Sequence, residues 1–184
     1  MKSGFVFNTM HIDVARNATD DFNLFHDKLK WSEIRNNPFG GPIVLGFQLL
    51  GLIADKFFDY RQENNEYSFI KENKLDFSYY QLKFANVVKP EQSVSLDIKS
   101  TQIKTSPELQ LSNRYSLKAD NGLVVAGFKK ELSTPNILTN IEIPGIEQVH
   151  NHKDRSFLRD ENFFVKHKYF NTSKWEKLFS YFPC

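Results

Sequence analysis

The spacing of apolar residues changes several times along the chain, and each change marks a different kind of element. Asn8 and Thr9 can cap a helix in which Met10, Val14 and Ala18 recur every four residues, an apolar stripe that ends near Thr19. The stretch from Asp20 to Asp27 is polar and turn-prone but carries Phe22, Leu24 and Phe25, so it reads as a structured loop rather than a linker. A helical turn around Trp31 to Arg35 leads into the breaker cluster Asn36-Asn37-Pro38-Phe39-Gly40-Gly41-Pro42. From Pro42, suited to a first helical position, apolar residues fall on nearly every side of a helix: Ile43, Val44, Leu45, Phe47, Leu49, Leu50, Leu52, Ile53, Ala54, Phe57 and Phe58. A helix of that kind is expected to be buried over most of its surface.

After Gln62 the period becomes that of strands. Tyr67 to Ile70 reads as a short strand. Leu75, Phe77 and Tyr79 alternate with polar neighbours, and the pattern resumes at Leu82 and Phe84 after a break at Tyr80-Gln81. Val94, Leu96 and Ile98 alternate after the Lys89-Pro90-Glu91 turn, and Leu109–Lys118 and Leu123–Leu132 flank Asp120-Asn121-Gly122, a strong hairpin signal. One long buried helix followed by four or five antiparallel strands makes an α+β fold in which the sheet wraps the helix. Beyond Pro135 periodicity fades. Residues 135–155 read as extended or loop-like, and a last helix is expected over Ser173–Tyr181. The expected organisation is one domain over 1–134 and a C-terminal extension over 135–184.

Composition narrows the options. The 24 basic and 22 acidic residues leave a net charge of +2, with no recurrent basic face, which speaks against nucleic acid. Eighteen Phe and seven Tyr suit a thick core or a pocket for an apolar ligand. The single cysteine, Cys184, cannot form an intramolecular disulfide, and the most apolar run, Ile43 to Ala54, is short of the roughly twenty residues that cross a bilayer. With no secretory pattern at the N-terminus, a cytoplasmic protein without a membrane partner is expected.

Candidate chemistry concentrates in Asp21-Phe22-Asn23-Leu24-Phe25-His26, where a carboxylate and an imidazole lie five apart on a loop able to turn both toward one point. Phe39-Gly40-Gly41-Pro42-Ile43-Val44-Leu45-Gly46 follows at the entry to the long helix. Together these resemble the MaoC-like, (R)-specific enoyl-thioester hydratases, whose motif Asp-x-Asn-Pro-x-His precedes a Pro-Ile-Val-His-Gly-like helix start by about twenty residues. The resemblance covers residues 10 to 132 and implies a hotdog fold, with Asp21 and His26 as the catalytic acid/base pair. It further implies that Asn23 shapes the loop, that the Gly46 backbone N–H faces the thioester oxygen, and that Gly41 and Ile43 line the substrate's approach. Leu24 stands in place of the motif's Pro, and Leu45 in place of the His before the helix glycine.

The implied reaction adds water to a trans-2-enoyl thioester of coenzyme A or acyl carrier protein, without cofactor or metal, in a homodimer. A hotdog thioesterase and a non-catalytic acyl-thioester binding or assembly subunit are the alternatives. Some hotdog thioesterases carry a carboxylate on the central helix, where Gln48 and Asp55 lie, although Asp55 reads as solvated. His150 and His152 could bind a metal but lack further ligands at suitable spacing. His11 reads as a satisfied helix residue and His167 as a surface one. Gly-x-Ser-x-Gly, Walker and dinucleotide-glycine patterns are absent from the sequence.

Overall fold

The Asn121-Gly122 signal marks the hairpin on which the sheet is built: strand β5 (Gln110–Ala119) turns through Asp120 and Asn121 into β6 (Gly122–Leu132). Gly122 has φ +108°, a left-handed conformation that favours glycine. In the computed structural model the described residues are 4–19 and 21–135. The remaining elements are β1 (Phe5–Val6), α1 (Thr9–Thr19), α2 (Gly46–Glu63), α3 (Glu66–Glu72), β2 (Phe77–Phe84), β3 (Ser93–Ile98) and β4 (Gln102–Lys104). Short 3-10 turns occupy Leu24–His26 and Trp31–Glu33. All strand pairings are antiparallel, in the order β1-β3-β5-β6-β2, with β4 pairing β5 beside that path.

The register aligns Tyr80, Leu82 and Phe84 of β2 with Lys129, Gly127 and Val125 of β6, and these with Asn113, Tyr115 and Leu117 of β5. Those positions share one face. Against its apolar part pack Leu49, Leu52, Ile53 and Phe57 of α2, Phe7, and Ile12 and Ala15 of α1. Burying each large apolar side chain contributes about 1.5–3 kcal/mol, so this row fixes which side of the sheet receives the helix. An antiparallel sheet packed around one central helix is the hotdog architecture. The expected extended segment and last helix beyond Pro135, and His150, His152 and His167 with them, lie outside the described residues.

Several expectations change. In α1 the buried positions are Ile12 and Ala15, while Met10 is 64% exposed. Residues spaced by four drift 40° per step around a helix, so Met10 and Ala18 do not share one tight stripe. The central helix begins at Gly46 rather than Pro42, because the preceding backbone bonds elsewhere: Ile43 N–H to the Phe25 carbonyl (2.9 Å) and Val44 N–H to that of Val88 (2.8 Å). Nor is α2 buried all round, since Phe47 and Phe58 are 63% and 58% exposed.

Residues 67–70 are helical. Asn65 in the left-handed conformation (φ +54°) turns the chain, and Glu66 opens α3 with a negative charge where the helix dipole favours one. Strand β2 runs unbroken through Tyr80-Gln81; Tyr80 and Leu82 face the core, and Phe77 and Tyr79 lie on the outer face. Strands β1 and β4, of two and three residues, are too short to carry a readable alternation.

The inner face changes character toward the C-terminal end of α2. There Arg61, 1% exposed, donates to Glu66, to Thr101 Oγ1 (3.1 Å) and to Asn113 Oδ1 (2.7 Å). Lys129 pairs with Glu131, which also accepts from Ser78 Oγ (2.5 Å). Buried charges are tolerable in such a place because nearly every donor and acceptor has a partner.

Candidate active site

Helix α1 ends beside the motif loop and holds its first candidate residue by the backbone. Asp21 N–H donates to the Arg16 carbonyl (2.9 Å), and Arg16 Nε donates to the Asp21 carbonyl (3.3 Å). The loop then folds on its own side chains. Asp21 Oδ1 accepts from Asn23 N–H (3.0 Å), and Asn23 Oδ1 accepts from Phe25 N–H (3.1 Å), capping the 3-10 turn that carries His26. Phe25 packs edge-on against Phe39, with ring centroids 5.6 Å apart.

His26 is anchored from the segment entering α2: its Nδ1 lies 2.8 Å from the Ile43 carbonyl oxygen. A carbonyl only accepts, so Nδ1 carries the proton, and in the neutral ring Nε2 presents a lone pair. That nitrogen lies 3.8 Å from Asp21 Oδ2. Two acceptors at this separation do not bond each other, but one water can donate a hydrogen to each. The imidazole is 12% and the carboxylate 34% exposed, so such a water would be sheltered yet within reach of a ligand.

Gly46 follows the His26 anchor by three residues and takes the first helical position of α2, where its N–H has no intrahelical acceptor. A Cβ placed on it would lie 3.4 Å from Phe84 Cζ, so the Phe84 ring stands over this glycine. Gln48 fixes the helix start: its Oε1 accepts from Leu45 N–H (3.3 Å) and its Nε2 donates to the His11 carbonyl (3.0 Å). Those bonds give Gln48 a structural task on the central helix. Asp55 is a half-buried residue paired with Lys56 at 3.3 Å. His11 exchanges capping bonds with Asn8 (3.0 and 3.2 Å) and stacks on Phe5.

Of the other motif residues, Ile43 contributes backbone: its carbonyl anchors His26 and its N–H ties back to Phe25. Gly41 faces open space, with no atom within 4 Å of a Cβ placed there, whereas Gly40 has φ +61°. Leu24 starts the 3-10 turn, and Asn23 before it is extended (φ −61°, ψ 128°), the conformation a following proline would impose. Leu45 is buried in the core as the residue capping α2.

Arg16 and Asp27 escaped the motif-based reading. Asp27 Oδ2 accepts from Arg16 (2.8 Å), and its Oδ1 accepts from the N–H groups of Leu29 (2.8 Å) and Lys30 (3.1 Å). The Leu29 N–H foremost, helped by the Lys30 N–H and Arg16, holds the Asp27 carboxyl below its ordinary value against the opposing effect of burial. Among the described residues, no group of three or more His, Cys, Asp and Glu side chains is placed to hold a metal ion, and no helix is long and apolar enough to cross a membrane.

No family model and no curated protein matches the chain. Among solved structures it is similar to an (R)-hydratase from A. caviae involved in PHA biosynthesis, at 18% identity over 72% of this chain and 97% of that one, with TM-score 0.47. It is likewise similar to a monoamine oxidase regulatory protein from Archaeoglobus fulgius (16% identity, 71% and 88% covered, TM-score 0.47). A third similarity is to the ChsH1-ChsH2 complex from Mycobacterium tuberculosis (14% identity, 72% and 99% covered, TM-score 0.47).

Proposed function

We propose that the chain is a hydratase of trans-2-enoyl thioesters, carried by coenzyme A or acyl carrier protein, with Asp21 and His26 as its acid/base pair. The observation that carries this reading is the 3.8 Å gap between Asp21 Oδ2 and His26 Nε2, with the ring's other nitrogen committed to the Ile43 carbonyl. Both groups facing the gap are acceptors, the arrangement needed to bind and polarise one water.

In the forward reaction one proton of that water passes to the pair and the hydroxyl oxygen bonds to C3 of the substrate. The C2=C3 π electrons move toward the thioester carbonyl, and a proton from the pair is delivered to C2. Atoms balance as one water added. The negative charge that develops on the thioester oxygen needs a donor aimed at it, and the Gly46 N–H at the positive end of α2 supplies one. Bond lacing from Asn23, Arg16 and Ile43 holds the two catalytic groups before substrate arrives.

The test incubates the full chain with crotonyl-CoA and follows loss of enoyl absorbance alongside release of free thiol. Hydration without thiol release is expected, falling by about a hundredfold or more in Asp21→Asn and in His26→Gln, in line with the worth of a general acid or base. Thiol release without hydration would make the protein a thioesterase. Binding without turnover, equal in both variants, would make it a binding subunit.

A further inference from the structure

We infer that Arg16 is a positioning residue of the Asp21–His26 pair, acting with Asp27 as a clamp that sets the distance between the two side chains. This role rests on the hydratase reading for its catalytic meaning, though not for its geometry. Arg16 sits in the last turn of α1 with its side chain 13% exposed, and it grips both ends of the loop. At one end the backbone of Asp21 is held on both sides, its N–H by the Arg16 carbonyl (2.9 Å) and its carbonyl by Arg16 Nε (3.3 Å). At the other end the same guanidinium bonds Asp27 Oδ2 at 2.8 Å, one residue beyond His26.

The second Asp27 oxygen is occupied by the Leu29 and Lys30 N–H groups, so the carboxylate that Arg16 grips cannot swing away without breaking three bonds. Asp13 adds a bracket: it lies 3.9 Å from Arg16 and 2.6 Å from Lys28, so α1 meets the loop through two linked ion pairs. A guanidinium suits this task because its planar fork offers several donors in fixed directions; a lysine carries the charge but cannot span both partners.

Leu24 gives the clamp its purpose. A proline there would fix one backbone angle of the loop and restrict the residue before it, whereas leucine leaves both free. The Arg16–Asp27 bridge restores the constraint by tying the last turn of the helix before the loop to the residue after the loop's end. The gap between Asp21 and His26 is then set by these bonds together with those the two side chains make to the Asn23 N–H and the Ile43 carbonyl.

The experiment records imidazole nitrogen signals of histidine-labelled full-length protein, with His26 identified by what disappears in His26→Gln. In the parent protein one set of His26 signals is expected, with Nδ1 protonated and Nε2 bare. In Arg16→Ala and Asp27→Asn that set should broaden or shift toward mixed tautomers, and Arg16→Lys should fall between. In crotonyl-CoA hydration the same variants should lose about tenfold or more in kcat with KM within about twofold, since positioning acts on the chemical step. Parent-like His26 signals in both folded Ala and Asn variants would overturn the clamp whatever the kinetics. Should Arg16→Ala fail to fold, the near-isosteric Asp27→Asn decides alone. Should the parent not hydrate crotonyl-CoA, the functional reading falls while the nitrogen signals still judge the clamp.

Discussion

At the scale of single residues, Gly46 separates stability from chemistry. An added methyl would meet Phe84 Cζ at 3.4 Å, the edge of ordinary van der Waals contact, and the Phe84 ring is 57% exposed and free to yield. Replacing a helical glycine by alanine gains roughly 0.5–1 kcal/mol by restricting the unfolded chain. Gly46→Ala is therefore expected to melt at the same temperature or slightly higher. On the proposed hydratase reading the same methyl would stand where a thioester approaches the helix backbone, so kcat/KM for crotonyl-CoA should drop by about tenfold or more. Calorimetry and enoyl absorbance on one preparation check both halves; undiminished turnover would remove Gly46 from the reaction. Residue-level geometry was legible where it is local. Asp21, Asn23 and His26 announce themselves by spacing because their bonds span two to five residues, and the structure brings Asp21 and His26 together. Arg16 and Asp27 are eleven apart on different elements, and an arginine in the last turn of a helix is ordinarily read as a solvated dipole partner, so nothing local marks them.

Between elements, the charged cluster joining α2, α3 and the sheet sets a different kind of expectation. Glu131, with its side chain 5% exposed, faces Lys129, Ser78 and, at 3.5 Å, Arg61 Nε, which makes no hydrogen bond among the described residues. Taking away this carboxylate leaves two buried cations with one fewer counter-charge. Glu131→Gln should destabilise the fold by about 3–5 kcal/mol, read from the denaturant midpoint. The same cluster predicts a pH dependence. Burial first, and Arg61 with it, holds Lys129 below 10.5 against the opposing pull of Glu131. Between that lowered value and 10.5 the unfolded chain binds the extra proton, so stability rises with pH there. Tyr115 acts oppositely: burial pushes its pKa up to about 12, and Tyr80 is raised for the same reason. Above pH 10 the unfolded tyrosines ionise while the folded ones do not, and stability falls. Denaturant midpoints from pH 8 to 11.5 should thus climb and then decline, and Lys129→Met should flatten the climb while leaving the decline. Nothing in the periodicity foretold this cluster. Lys129 and Glu131 alternate like any half-exposed strand residues, and α3, which brings Glu66 to Arg61, follows a left-handed Asn65 that reads as strand-breaking rather than helix-starting.

For the whole molecule, the architecture was legible because its two strongest signals, a long apolar helix and an Asn-Gly hairpin, are both local in sequence and central in space. The sidedness of the helix was not. Phe47 and Phe58 are eleven residues apart, close to three full turns, so they share one face of α2, and that face is exposed among the described residues. Phe84 stands beside it over Gly46, Tyr67 packs on Phe58 with centroids 5.5 Å apart, and Phe77 is 42% exposed at the other end of β2. Strand β2 is the last in the sheet, eight residues long, with one edge unpaired among the described residues. A long free edge bordered by exposed aromatics is a surface that soluble proteins ordinarily cover. A second copy would cover it by continuing the sheet and laying one α2 against the other, with like patches meeting across a two-fold axis. Light scattering after size exclusion should then give about twice 21.5 kDa. The single change Phe58→Glu, far from the Asp21–His26 pair along α2, should shift the protein toward monomer while its circular dichroism stays unchanged. A parent already at monomer mass over the micromolar range would leave this face to another occupant.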